Sequence, residues 1–207
     1  MIIFHNFLQK DICASIIKKF DELNDKNIVS QRKKDDVRVF GFEKVLDKNI
    51  SNFFFDINSK SYLKFFKIKP KFQTLMVNKT FFSPNNTSLG SGGGWHRDSY
   101  FLNNLKTIYY LSKVKNENGP FTYLEPKLKF FCRFYPVKRR FNYDIDKKLS
   151  FCSNKISITS EKPGMGFSIN TNYIHRGIPI IKGIRYAITV YSNFKKNNEI
   201  ESLKIKI

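Results

Sequence analysis

Cysteine, alanine, tryptophan and acidic side chains are all scarce in this 207-residue chain. Its three cysteines, Cys13, Cys132 and Cys152, contain no CxxC pair and cannot make an even disulfide framework, which points to a reducing, cytoplasmic compartment. No run approaches the ~18 apolar residues that a membrane helix needs. Met1 to Phe20 is broken by Gln9, Lys10 and Asp11 and lacks a small-residue cleavage site, so it does not read as a signal peptide. The expectation is a soluble protein with no membrane span.

Acids number 17 against 37 Lys and Arg, a net charge of +20. Such an excess suggests a polyanion partner such as nucleic acid. A blander source is the coding bias of an AT-rich genome: alanine occurs only as Ala14 and Ala187, while Lys, Asn, Ile and Phe abound and the lysines spread along the whole chain. With 41% hydrophobic and 16% aromatic residues the chain can bury a sizeable core, which excludes disordered and fibrous classes. Its length suits one domain, 1–207.

Ile12, Ile16, Phe20 and Leu23 share one face at helical spacing, so residues 10–23 read as an amphipathic helix, and Ile50, Phe53, Phe54 and Ile57 suggest a second before Pro70. Gln31 to Asp36 reads as a polar loop. After Pro70 come short β-type runs: Phe72 to Phe82, Lys106 to Leu111, Phe121 to Leu124, Ile156 to Thr159, Phe167 to Thr171 and Arg185 to Phe194. Turn residues separate them, among them Ser83-Pro84-Asn85-Asn86, Lys162-Pro163-Gly164 and Gly177 to Gly183. The order divides the domain into a helical portion (1–69), a mainly β core of sandwich or barrel type (70–194) and a tail (195–207).

Of three histidines, His5 lies in an apolar segment and reads as structural. His96 and Asp98, at i and i+2 of an extended segment, project to the same side and can offer an imidazole and a carboxylate to one ion. A second imidazole, His175, completes a two-His, one-carboxylate face that leaves three positions of an octahedron open, the arrangement of non-haem Fe(II) oxygenases. Ten residues after His175 the chain turns back through Gly177 to Gly183, and Arg185 then stands beside it with a fork suited to a carboxylate. Gly90 to Gly94 carries no following Lys-Ser or Lys-Thr, so a phosphate loop is rejected. Close backbone approach at a pocket mouth suits these glycines better.

The segments Gly92-Gly93-Gly94-Trp95-His96-Arg97-Asp98-Ser99, Lys106-Thr107-Ile108-Tyr109-Tyr110-Leu111, Glu117-Asn118-Gly119-Pro120-Phe121 and Ile174-His175-Arg176-Gly177, with Arg185-Tyr186, resemble in order and spacing the Fe(II)/2-oxoglutarate-dependent dioxygenases, in particular the phytanoyl-CoA dioxygenase-like family. Asn6-Phe7-Leu8 leading into a helix resembles the family's opening. The resemblance implies a double-stranded β-helix (a cupin-like jelly roll) buttressed by the N-terminal α-helices. It implies Fe(II) on His96, Asp98 and His175, 2-oxoglutarate gripped by Arg185, and O2 as the oxidant. The implied reaction hydroxylates a small molecule with release of succinate and CO2. Related halogenases have a small residue in place of the carboxylate, so Asp98 favours hydroxylation. Relatives carry Ser or Thr two residues after the arginine, where this chain has Ala187.

Lys106 and Asn78 are further co-substrate candidates, Lys106 and Tyr110 sharing a strand face, although Lys106 can instead reach solvent at the barrel mouth. Trp95, Arg97 and Tyr100 flank the ligands as candidates for the substrate entrance, with aromatic packing as the alternative for Trp95 and Tyr100. Lys127 to Arg140 interleaves aromatics and cations, which suits base stacking or a solvated strand connection. Demethylating relatives carry another arginine a few residues past the co-substrate arginine, where this chain has Tyr191, Ser192 and Asn193. The alternatives to a hydroxylase are a jelly-roll module that binds a polyanion and a cupin-type metal-dependent isomerase.

Overall fold

A computed structural model describes residues 2–84, 94–98, 104–127, 145–194 and 198–206. Among these residues are ten strands and four α-helices, in the order β1 (Ile2–His5), α1 (Lys10–Asp25), β2 (Gln31–Arg32), β3 (Asp36–Phe40), α2 (Lys48–Phe66), β4 (Phe72–Phe81), β5 (Leu105–Tyr110), β6 (Phe121–Pro126), α3 (Ile145–Lys148), β7 (Ser153–Ile158), β8 (Gly166–Asn170), β9 (His175–Gly177), β10 (Ile184–Asn193) and α4 (Asn198–Leu203). The strands form an antiparallel seven-stranded sheet, ordered β1-β8-β5-β10-β4-β3-β2, and a three-stranded sheet, β7-β6-β9. This is the jelly roll expected from the sequence, with α1 and α2 against the large sheet.

Period-two alternation assigns each side chain of the large sheet to one of two cores. Val37, Val39, Leu75, Val77, Ile188 and Val190 face the helices and pack with Cys13, Ile16 and Phe20 of α1 and Phe54 of α2. Ile108, Tyr110, Phe167, Ile169 and Ala187 face inward and pack with Phe121, Tyr123 and Ile158 of the small sheet. Helix α2 starts where Asp47 accepts hydrogen bonds from the Asn49 and Ile50 amides at 2.8 and 3.3 Å, and ends with Lys67 in the left-handed region. A buried polar chain fastens it to the sheet. Gln73 Nε2 donates to Asn58 Oδ1 (2.9 Å), Asn58 Nδ2 to Thr107 Oγ1 (2.9 Å), and the Thr107 and Ser168 hydroxyls are 2.6 Å apart, with His5 Nε2 2.8 Å from Ser168.

Three expectations need correction. Gln31 to Asp36 is a hairpin approach rather than a plain loop, because the alternating Asp36-Val37-Arg38-Val39-Phe40 pairs with β4. The tail carries α4, and Ile205 behind it is buried in the helix-side core. Cys13 is a free, buried thiol, but Cys152 is disulfide-bonded, so the cysteine count gives no warrant for a compartment. No helix among the described residues is long and apolar enough to cross a membrane.

Candidate metal centre

Backbone pairing brings the sequence-predicted triad together. His96 and His175 face each other across an antiparallel bridge, His96 N donating to His175 O at 3.0 Å and His175 N to His96 O at 2.9 Å. Asp98 N donates to Thr171 O at 3.1 Å, which keeps Asp98 in register and turns its side chain to the same side as His96. The result is a small extension of the β7-β6-β9 sheet whose inner face carries all three side chains.

Each imidazole is locked by its Nδ1. His96 Nδ1 lies 2.8 Å from Gly94 O and His175 Nδ1 lies 2.8 Å from Tyr173 O. A carbonyl oxygen only accepts, so Nδ1 carries the proton and Nε2 presents its lone pair to the cavity. Gly94 presents its carbonyl from a backbone at φ 85°, a region that glycine enters without steric cost. The two Nε2 atoms lie 3.6 Å (His96) and 3.8 Å (His175) from the same oxygen, Asp98 Oδ1. One ligand atom from each of the three residues falls within 4.8 Å of the others, close enough to share one ion. Two imidazoles and a carboxylate suit iron, so the donor set fits the metal expected from the sequence.

Electrostatics prepares the same state. Burial, with His96 adding to it, lowers the His175 pKa to about 3, so the ring is neutral. Burial pushes the Asp98 carboxyl up, but the Lys106 ammonium together with His175 and His96 outweighs it and holds the group well below the usual carboxylate range. Lys106 Nζ sits 2.8 Å from Asp98 Oδ2 and 4.9 Å from the Tyr191 ring centroid. Despite its burial Lys106 is raised by Asp98 and stays cationic. Its ammonium is turned inward to Asp98, with 15% of the side chain still exposed.

The triad opens on a cavity of about 350 Å³. Arg185, Asn78, Lys106, Tyr110 and Ala187 line it, so the co-substrate candidates converge on one space. Arg185 is buried, its Nη2 donating to Thr80 Oγ1 at 3.3 Å while its Nε has no partner among the described residues. Register sets Ala187 between Asn78 on β4 and Tyr110 on β5, and Tyr110 is already occupied, donating to Ile158 O and accepting from Phe121 N. Phe121 stacks on His175 at 5.3 Å between centroids.

Trp95 and Arg97, expected at the substrate entrance, do not line the cavity. Alternation that points residues 96 and 98 inward points 95 and 97 outward. Trp95 is only 1% exposed, packed with Leu124, Ile145, Leu149 and Ile174 and under the Arg176 guanidinium, and Arg97 donates to Asn172 O. Tyr100, Gly90 to Gly93 and most of Lys127 to Arg140 lie outside the described residues. The sequence reading missed Asp36, Arg38 and Thr80. The period-two pattern of Asp36 to Phe40 was the available signal.

A family model described as phytanoyl-CoA dioxygenase (PhyH) matches residues 1–125, a span that holds His96, Asp98 and Lys106 and stops before His175 and Arg185. No curated protein sequence matches. Among solved structures, the non-heme alpha ketoglutarate dependent epimerase SnoN from nogalamycin biosynthesis is similar with a TM-score of 0.65 at 11% identity, over 93% of this chain and 78% of that one. HygX from Streptomyces hygroscopicus, with nickel and 2-oxoglutarate bound, gives 0.62 at 11% identity over 93% and 82%. A prolyl hydroxylase from Trichoplax adhaerens, in complex with a hypoxia inducible factor peptide fragment, gives 0.60 at 16% over 100% and 87%. These likenesses establish the shared fold.

Proposed function

The chain belongs to the phytanoyl-CoA dioxygenase family of non-haem iron, 2-oxoglutarate-dependent oxygenases, and on that premise we propose that it hydroxylates a C–H bond of a small molecule at His96, Asp98 and His175. When bound there, iron with 2-oxoglutarate and O2 supplies the oxidising power for hydroxylation, with succinate and CO2 as co-products. The protein's part is to bind, orient and exclude water.

The two Nε2 lone pairs and Asp98 Oδ1 would hold the ion, and two imidazoles with one carboxylate would leave it positions for further ligands. Lys106 occupies the other oxygen of Asp98, which keeps that carboxylate anionic and leaves Oδ1 beside the two imidazoles, where it would serve as the ligand atom. Arg185 takes the far carboxylate of 2-oxoglutarate through a fork that has donors to spare, and Thr80 orients it. Phe121 against His175 fixes the ring plane and keeps water from that side.

The division of Asp98 between two imidazoles and one ammonium carries this reading. A carboxylate there fills the third ligand place, which supports hydroxylation over halide transfer. A cavity of about 350 Å³, shared by co-substrate and substrate, is at the small end for ligand sites and supports a small molecule.

The test is turnover under labelled dioxygen with Fe(II), 2-oxoglutarate and a metabolite pool. Succinate and a product carrying one labelled oxygen are expected from wild type, and both fall to background in His175→Ala and Arg185→Gln. Undiminished succinate in either variant contradicts the site. Succinate formation with an unlabelled product contradicts hydroxylation alone.

A further inference from the structure

We infer that Arg38 binds the primary substrate and that this substrate is a small molecule bearing a carboxylate or phosphate. The inference rests on the oxygenase reading above and names the substrate class for that site.

Strand β3 turns Asp36, Arg38 and Phe40 toward the cavity, and Arg38 and Phe40 line it. Cross-strand register lays out the floor. Asp36 pairs with Thr80, which pairs with Arg185; Arg38 pairs with Asn78, which pairs with Ala187. Arg38 thus stands two strands from β10, roughly 10 Å across the sheet at the usual strand spacing. Thr80 Oγ1 links the two neighbourhoods, meeting Arg185 Nη2 at 3.3 Å and Asp36 Oδ1 at 3.4 Å, so Arg38 stands next to the co-substrate cradle, where a second anion bound beside 2-oxoglutarate would meet it.

The Arg38 guanidinium is held and only half used. Its Nε donates to Asp36 Oδ2 at 2.5 Å, and Nη2 contacts the same oxygen. Asp36 is fixed in turn by Asn78 Nδ2 at 3.2 Å and Thr80 Oγ1 at 3.4 Å. Among the described residues nothing takes Nη1, although the side chain is only 16% exposed. Asp36 Oδ1 is taken by Asn78 and Thr80, so both Arg38 donors fall on Oδ2. Here one oxygen receives two donors and the other edge of the fork is left to the cavity.

The surroundings fit an anionic head with an apolar body. Lys33 and Gln31 stand at the rim beside Arg38. Phe40 and Met76 continue the floor, and Ile200 and Leu203 of α4 form a facing wall. That wall is fastened next to β3, with Ile205 N donating to Phe40 O at 2.9 Å and Lys44 Nζ to Ile205 O at 2.8 Å. Around the cavity Lys33, Arg38, Lys106 and Arg185 outnumber Asp36, Asp98 and Glu199. The two positive charges of iron and the two negative charges of 2-oxoglutarate cancel, so positive charge is left over for the substrate.

The test uses the full chain with Fe(II) and saturating 2-oxoglutarate under anaerobic conditions, titrated with 4-methylvalerate, its neutral amide, isopentyl phosphate and isopentanol, read by calorimetry. Wild type should bind one acid roughly ten-fold or more tightly than its neutral counterpart, and which acid identifies the head group. Arg38→Gln should erase that preference while 2-oxoglutarate affinity stays within about two-fold. The double variant Asp36→Asn/Arg38→Gln, which strands no buried carboxylate, should behave in the same way if the single variant folds poorly. Equal response to acid and neutral probes, including none to either, overturns the inference, as does a matching loss of 2-oxoglutarate affinity. Failure of wild type to bind 2-oxoglutarate in an iron-dependent way instead contradicts the oxygenase site itself.

Discussion

Two carbonyl oxygens decide which nitrogen of each triad imidazole faces the metal. For His96 the oxygen belongs to Gly94, whose φ of 85° aims it. Gly94→Ala forces a side chain into that region, so the Nδ1 contact is expected to lengthen and metal affinity to fall roughly 10–100-fold. Calorimetric titration with Ni(II) measures it, and unchanged affinity would remove Gly94 from an orienting role. His5 gives a pH dependence away from the metal. Burial lowers its pKa below the ordinary 6.5 while its Nε2 meets Ser168 at 2.8 Å and its ring stacks on Tyr109. As pH falls below 6.5 the unfolded chain takes up this proton before the folded chain does, so stability falls with pH in that window. Thermal melting of His5→Gln should show a shallower decline than wild type. An identical decline would assign the effect elsewhere. The triad was legible because i, i+2 spacing is a local rule, whereas Arg185 reaches the cavity without the expected hairpin, since β9 pairs with β6 in the small sheet and β10 with β4 and β5 in the large one. Trp95 was misplaced by adjacency, which the same alternation rule argues against.

Elements with one buried face announced themselves. Helix α1 shows its core stripe at Cys13, Ile16, Phe20 and Leu23, and the β runs after Pro70 fall within a few residues of the observed strands. Strand β1 did not. Ile2-Ile3-Phe4 is a continuous apolar run with no alternation, and its partner β8 lies more than 160 residues away. Strands β2 and β3 were hidden by the charged run between them, although Asp36 to Phe40 alternates. Helix α2 carries polar groups on its buried side for a reason that no single segment reveals, namely that Asn58 bridges Gln73 and Thr107. Replacing Asn58 with Leu strands both partners and should cost about 1–3 kcal/mol by denaturant unfolding, with metal affinity unchanged. A neutral result would mean that the chain of hydrogen bonds fixes position without adding stability.

Over the whole molecule, the end of the chain completes the site made by its middle. Ile205 anchors in the helix-side core while Leu203 and Ile200 face the cavity. Ile205→Ala should destabilise the protein by roughly 2 kcal/mol in thermal or denaturant melts and loosen the wall that the substrate meets. Composition could not show this. A tail rich in charge reads as solvated until Phe40 pairs with Lys204 across the sheet edge. The net charge of +20 is what remains once every acid is set against a base, so pairs such as Lys106 with Asp98 and Arg38 with Asp36 take none of it and it has no single owner. The central claim is that His96, Asp98 and His175 share one ferrous ion beside a cradle for 2-oxoglutarate. Anaerobic addition of Fe(II) and then 2-oxoglutarate, followed by visible absorption, tests it most directly. A weak metal-to-ligand charge-transfer band is expected in wild type, lost in Asp98→Ala and requiring more 2-oxoglutarate in Arg185→Gln. A folded wild type without the band, or an undiminished band in Asp98→Ala, contradicts it.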